Sequence, residues 1–190
     1  MTYANDVITL LDRSGLEKVI CLGTPLAGLV SMILAAMIPE RIHAVILNDI
    51  DAVIDPAGLA RIENYAGRQG PVKSWAEAAE QTRATNELAL PDRNEDWWLS
   101  FAGNTFRENS DGIPVLDYDQ KIGDAMRSSG GTPDPEAGWS LYNARQTIPT
   151  LLLRGELSDI LSRDITAEMK ARKGELIVAE IKGVGHAPML

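Results

Sequence analysis

The feature that most constrains this chain is the stretch Val19-Ile20-Cys21-Leu22-Gly23-Thr24-Pro25-Leu26-Ala27-Gly28. Its apolar opening reads as a strand, Gly23-Thr24-Pro25 as a tight turn, and Leu29 to Met37 as the continuation of an apolar helix. A strand that runs sharply into a helix brings a strand end and a helix N-terminus to one place. That is where α/β proteins put their chemistry. Such a unit needs partner strands and a core. A length of 190 residues, 45% apolar and 24% charged, suffices for one sizeable domain.

The partners follow in order. Thr2 to Ser14 has the helical apolar spacing Tyr3, Val7, Leu10, Leu11, with Gly15 placed to end it. Lys18 to Leu22 is the first strand and Leu26 to Ile38 a helix apolar nearly all round. Pro39-Glu40-Arg41 breaks that helix, and Ile42 to Leu47 is a second continuous apolar strand. Thr150 to Leu153 and Glu175 to Ile181 read as the third and fourth strands, with a helix over Ser162 to Arg172 between them. Continuous apolar strands joined through helices predict a mostly parallel sheet with helices on both faces, its four strands side by side in chain order.

Residues 56–141 have a different character: polar, helical and without a convincing strand. Helices are predicted over Leu59 to Tyr65, Ser74 to Leu88, Asn94 to Phe106 and Tyr118 to Met126. A Gly/Pro-rich loop follows over Ser128 to Gly138, then a short helix over Leu141 to Arg145. Trp75, Trp97, Trp98, Phe101 and Phe106 read as packing, with a substrate wall as the other use of such a stripe. The division is therefore a core, 1–55 with 142–190, and a helical cap insertion, 56–141.

Charge and composition exclude several function classes. A net charge of −9 argues against a general nucleic-acid or anionic-membrane binder. No apolar run spans a bilayer, and Met1 is not followed by a basic and then apolar leader, so a cytoplasmic location is expected. Cys21 is the lone cysteine and reads as a small buried residue of a strand. No Cys/His cluster or carboxylate spacing points to a metal, and no cofactor is expected. Gly23 to Gly28 matches the opening of a phosphate-binding loop, but Leu29 and Val30 replace its Lys and Ser/Thr.

Three loops carry a resemblance in combination: Gly23 to Gly28, then Arg154-Gly155-Glu156-Leu157-Ser158-Asp159-Ile160-Leu161, then Gly183-Val184-Gly185-His186-Ala187-Pro188. Their order, nucleophile then acid then histidine, is similar to that of the α/β-hydrolases, and the loops resemble those of enol-lactone and C–C bond hydrolases. Leu47-Asn48-Asp49-Ile50 and the P-x-G-L-x-R-I run Pro56 to Ile62 add to it. The resemblance implies an α/β-hydrolase fold, a small carbonyl-containing substrate (ester, lactone or activated C–C bond), Asp159 orienting His186, and His186 as general base and then acid. It also implies the Leu26 N–H as an oxyanion donor. Asp159 also reads as a helix N-cap, as do Ser158 and Ser162. His186 also reads as a solvated loop histidine, Asp49 as a loop-forming residue, and His43 as structural.

At the position where the resemblance implies a serine on a left-handed bend stands Pro25, and Ala27 replaces the last glycine of the G-x-S-x-G pattern. Proline has no hydroxyl and no N–H, and its ring fixes φ near −65°. Thr24-Pro25 reads equally as an N-cap and first helical residue, a plain entry to the helix. No H-G-x-x segment supplies a second oxyanion donor. The expectation is a hydrolase fold with impaired catalysis. An active hydrolase using Thr24, Cys21 or Ser31, and a non-catalytic small-ligand-binding or self-associating protein, are the alternatives. The family places strands before the helix at Thr2 to Ser14 and a helix after His186. The first strand, apolar on both faces, is expected in a sheet interior. The expectation is a chain truncated at both ends, self-associating through an uncovered sheet edge.

Overall fold

The computed structural model describes residues 1–50, 52–53, 55–128, 134–144, 147–186 and 188–189. The chain divides into two compact units, Met1–Pro56 with Thr132–Leu190, and Ala57–Gly131.

The first unit is built on a parallel four-stranded sheet of order β1-β2-β5-β6, where β1 is Val19–Gly23, β2 Ile42–Asn48, β5 Thr150–Gly155 and β6 Ile177–Ile181. Registers place Gly23 against Leu47, Asn48 against Leu153 and Gly155 against Ile181, so all four C-terminal ends meet at one edge. Helix α1 (Thr2–Arg13) buries Ala4 and Leu11, residues two turns apart on one stripe. Helix α2 (Pro25–Met37) buries Gly28, Ser31, Met32, Leu34 and Ala35. Val45, Leu47 and Leu152 of the sheet are fully buried in the same core. After β5, helix α8 (Arg163–Arg172) begins at Ser162, whose Oγ accepts from the Ile165 N–H at 3.1 Å. The capping role open to Asp159, Ser158 and Ser162 therefore falls to Ser162.

Three expectations differ from the structure. First, β1 is the end strand of the sheet among the described residues, not an interior one. Ile20 and Leu22 on its outer face are 59% and 52% exposed. Second, helix α7 runs over Pro135–Asn143, starting inside the predicted loop. Asp134 caps it by accepting from the Glu136 N–H at 3.0 Å, with Pro135 at the first helical position. Residues 129–133 of that loop, and Arg145 of the predicted short helix, lie outside the described residues. Helix α7 belongs to the first unit: Tyr142 is fully buried in its core and donates to the Met169 carbonyl at 2.8 Å.

Third, the second unit holds a short antiparallel hairpin, β3 (Phe106–Glu108) with β4 (Pro114–Leu116), where no strand was predicted. Three residues a side are too few to show a period of two. The turn was readable: Asn109 Oδ1 accepts from the N–H groups of Asp111 and Ile113, and Gly112 takes φ 75°. Around the hairpin are α3 (Pro56–Tyr65), α4 (Trp75–Asn86), α5 (Glu95–Ala102) and α6 (Lys121–Ser128). The aromatic stripe packs within this unit. Trp97 meets Trp98 edge-on at 4.9 Å and stacks on Phe101 at 4.8 Å, and Trp98 is buried.

Candidate active site

The polar groups of interest come from the loops at the shared C-terminal edge of the sheet. β2 is apolar from Ala44 to Leu47, ends at Asn48 and is followed by Asp49, both buried. A fully buried carboxylate is costly unless several donors satisfy it. Asp49 has three: Oδ1 accepts from the Gly155 N–H at 2.8 Å, and Oδ2 accepts from Ser158 Oγ at 2.5 Å and faces His186 Nδ1 at 2.8 Å. Its backbone is left-handed, φ 55°, a conformation that aspartate tolerates better than most residues.

Each donor is fixed by its own loop. Gly155 ends β5 with the backbone of Val184 and Gly185 so close that a Cβ would collide with it. Ser158 follows in a turn whose N–H returns to the Gly155 carbonyl at 3.0 Å. The histidine loop is laced to the loop after β5: the Leu157 N–H donates to the Val184 carbonyl at 2.9 Å, and Glu156 accepts from the Gly183 N–H and from Lys182 Nζ, both at 2.9 Å. These two donors, the Gly183 amide first, hold the Glu156 carboxyl below its ordinary range. Its neighbour Glu180 is likewise lowered, chiefly by its hydrogen bonds from Arg163.

The histidine ring is held as a base would be. The His186 side chain is 9% exposed and that of Asp49 fully buried. A carboxylate can only accept, so Nδ1 carries the proton and Nε2 keeps its lone pair, an assignment made from the hydrogen-bond network.

The carboxylate that faces His186 Nδ1 is that of Asp49, whereas the sequence reading put Asp159 there. Asp159 lies exposed on the loop after β5. Its neighbour Ser158 donates to Asp49, and the position facing Nδ1 is filled by the carboxylate that follows β2. Sequence reasoning passed over Asp49 as a loop former. The available signal was a polar pair, Asn48-Asp49, directly abutting a continuous apolar strand. His43 is exposed on β2, as a structural or surface residue would be.

Residue 25 is built differently. Thr24 is the N-cap of α2 with φ −98°, and Pro25 is the first helical residue. The described non-glycine residues with positive φ are Asp49 and Asp92, so no left-handed bend exists at Pro25. Gly23 is required: a Cβ there would run into the backbone of Ala27 and Gly28. The Thr24 hydroxyl does not cap the helix but accepts from Asn48 Nδ2 at 3.1 Å. The same Nδ2 donates to the Pro188 carbonyl at 2.9 Å, joining the turn after β1 to the histidine loop. Leu26 stands in the first turn of α2, where a helix leaves its amides unpaired, and its side chain is 47% exposed. The other oxygen and sulfur considered are committed elsewhere. Ser31 Oγ donates to the Ala27 carbonyl at 2.7 Å, and burial raises the pKa of the Cys21 thiol, which stays protonated at neutral pH.

Among the described residues, no group of three or more His, Cys, Asp or Glu side chains is placed to hold a metal ion, and no helix is long and apolar enough to cross a membrane.

Comparison with known proteins places this geometry. The alpha/beta hydrolase fold family model matches residues 1–190. The 3-hydroxybutyrate-oligomer hydrolase of Cupriavidus necator is 30% identical over 194 residues, covering 98% of this chain and 65% of that protein. A crystal structure of an alpha/beta hydrolase from Novosphingobium aromaticivorans superposes with TM-score 0.87 at 37% identity, over 98% of this chain and 65% of that one. E-2-(acetamidomethylene)succinate hydrolase shares the fold at TM-score 0.77 and 20% identity, over 97% of this chain and 65% of that one. The chain thus spans about 65% of the length of these relatives. On the match along its whole length and the parallel sheet that gathers these loops at one edge, the chain belongs to the α/β-hydrolase fold family.

Proposed function

We propose that this chain descends from a hydrolase of carboxylic esters, retains that hydrolase's acid–base pair in Asp49 and His186, and lacks the oxygen for covalent acyl transfer because Pro25 occupies the nucleophile position. The observation that carries the reading is a contrast at one sheet edge. His186 Nδ1 lies 2.8 Å from a buried, triply hydrogen-bonded carboxylate, while residue 25 is a proline at the first position of a regular helix. In acyl transfer of this type a hydroxyl gives its proton to the imidazole and attacks the carbonyl carbon, and backbone N–H groups hold the resulting oxyanion. Here the imidazole and the Leu26 N–H remain for that chemistry and the hydroxyl does not. Loss of the serine from such a unit costs on the order of 10⁶-fold in turnover.

The ester class is favoured over lactones and C–C bonds because the 30% identical relative acts on oligomers of 3-hydroxybutyrate, whose units are joined by ester bonds. The hydroxyl nearest the pair, that of Ser158, has its proton on Asp49 and both acceptor sites filled by loop amides, which argues against it as a substitute nucleophile.

The test is a fluorophosphonate probe and a short-chain p-nitrophenyl ester applied to the full chain. No labelling and no turnover above that of His186→Ala is expected. Labelling at any residue, or turnover in the ordinary range of about 1–10³ s⁻¹, overturns the reading. Pro25→Ser with Ala27→Gly should introduce labelling that His186→Ala abolishes. A second property, self-association, is supported by the open outer edge of β1, where Ile20 and Leu22 are more than half exposed. Solution mass tests it, and a monomer at micromolar concentration would overturn it.

A further inference from the structure

We infer that Ser158 is a positioning residue of the Asp49–His186 pair: its hydroxyl locks the carboxylate so that the imidazole proton stays on Nδ1 and the basic lone pair on Nε2. The inference rests on reading His186 as the base of the site.

A serine hydroxyl has one proton to give and two lone pairs to fill. At Ser158 both acceptor sites are taken, by the N–H groups of Ile160 at 3.2 Å and Leu161 at 3.1 Å. The rotor therefore has one orientation left, with its proton on Asp49 Oδ2 at 2.5 Å, the short distance typical of a hydroxyl on a carboxylate. The other oxygen, Oδ1, is pinned by the Gly155 N–H. Both donors belong to one turn, closed by the bond from the Ser158 N–H to the Gly155 carbonyl.

That arrangement matters because the carboxylate's own torsion is soft. The χ2 of aspartate has broad wells, so a carboxylate anchored at a single oxygen swings. Gripped at both oxygens by one rigid turn, it presents a fixed acceptor to Nδ1. Three donors converge on Asp49, and only the ionised carboxylate accepts from all of them. Removal of the Ser158 hydroxyl leaves Oδ2 held by the imidazole alone, so the carboxylate tilts about its Gly155 bond and its bond from Nδ1 weakens. The loop after β5, in which an acid was expected at Asp159, instead lends a hydroxyl to the acid of the neighbouring strand.

The experiment is nitrogen-15 and proton NMR of the full chain with its imidazoles labelled. The sequence has two histidines, so His43→Gln isolates the signals of His186. The expected spectrum shows the Nδ1–H tautomer with a downfield, exchange-protected Nδ1 proton. Ser158→Ala should lose that resonance to solvent exchange, Ser158→Thr should restore it, and Asp159→Asn should leave it in place. Ser158→Cys keeps an acceptor for the two loop amides but donates poorly, so it carries the test if the alanine variant does not fold, and it too should lose the resonance. Retention of the downfield proton in a folded alanine or cysteine variant overturns the inference. Fluorophosphonate labelling of the unmodified chain would overturn the functional reading and leave this spectroscopic result unaffected, so the two failures are separable.

Discussion

Two strand ends lie side by side at the same edge of the sheet and differ in how they hold the chain. The turn from β1 into α2 is relaxed, with an extended N-cap at Thr24 and a proline at the first helical position. The end of β2 is strained, with Asp49 left-handed at φ 55° and buried. A strained backbone persists only where its surroundings over-determine it. Three hydrogen bonds do so at Asp49. At residue 25 nothing demands a bend, and the helix has taken the turn over. Strain occurs at the end where three hydrogen bonds converge on one side chain and is absent at the other, where Thr24 makes a single side-chain bond to Asn48.

The strongest way to break this comparison is Asp49→Ala. It strands the Gly155 N–H, the Ser158 hydroxyl and His186 Nδ1 and puts at a positive φ a residue that tolerates it less well than aspartate. We expect a loss of about 3–5 kcal/mol, or about 10 °C in Tm at this chain length, read by calorimetry. A loss under about 1 kcal/mol would mean that the carboxylate does not hold the three loops. The converse substitution, Pro25→Ala, should cost at most about 1 kcal/mol, because alanine adopts the same helical φ. A markedly larger loss would mean that the proline ring itself holds the turn by packing. The smallest effect sharpens the outer rim of the strained region. The Glu156 and Glu180 carboxyls are lowered when folded, so their stabilisation is complete above the ordinary glutamate value of about 4.3 and is lost as pH falls through their lower folded values. Glu156→Gln and Glu180→Gln should therefore flatten the acid limb of Tm against pH, lowering Tm slightly at pH 7 and leaving it unchanged at the acid end. An unaltered acid limb would show that these contacts do not tie the histidine loop down.

Much of the fold was legible because continuous apolar strands alternate with helices. Ile42 to Leu47 and Thr150 to Leu153 allowed only a covered parallel sheet, and the order β1-β2-β5-β6 followed. The loop that carries His186 was legible; which carboxylate faces its Nδ1 was not. Asp49 and Asp159 both follow apolar strands that are neighbours in the sheet, and spacing does not report which of the two faces the imidazole. Ser158, whose hydroxyl satisfies two amides of its own loop, donates to Asp49. The hairpin of β3 and β4 escaped because its strands are shorter than the period that reveals a strand. The start of α7 escaped because a Gly- and Pro-rich composition reads as loop even where Asp134-Pro135 opens a helix.

Asn48 and Asp49 are consecutive, and the first ties the turn after β1 to Pro188 while the second gathers Gly155, Ser158 and His186. One dipeptide thus serves every neighbouring loop of the site. Asn48 ends β2 and Asp49 follows on a left-handed bend, so sliding β2 by a single residue would displace both side chains and disconnect both sets at once. The pairing register of β2 with β5 is therefore what holds both sets of contacts in place.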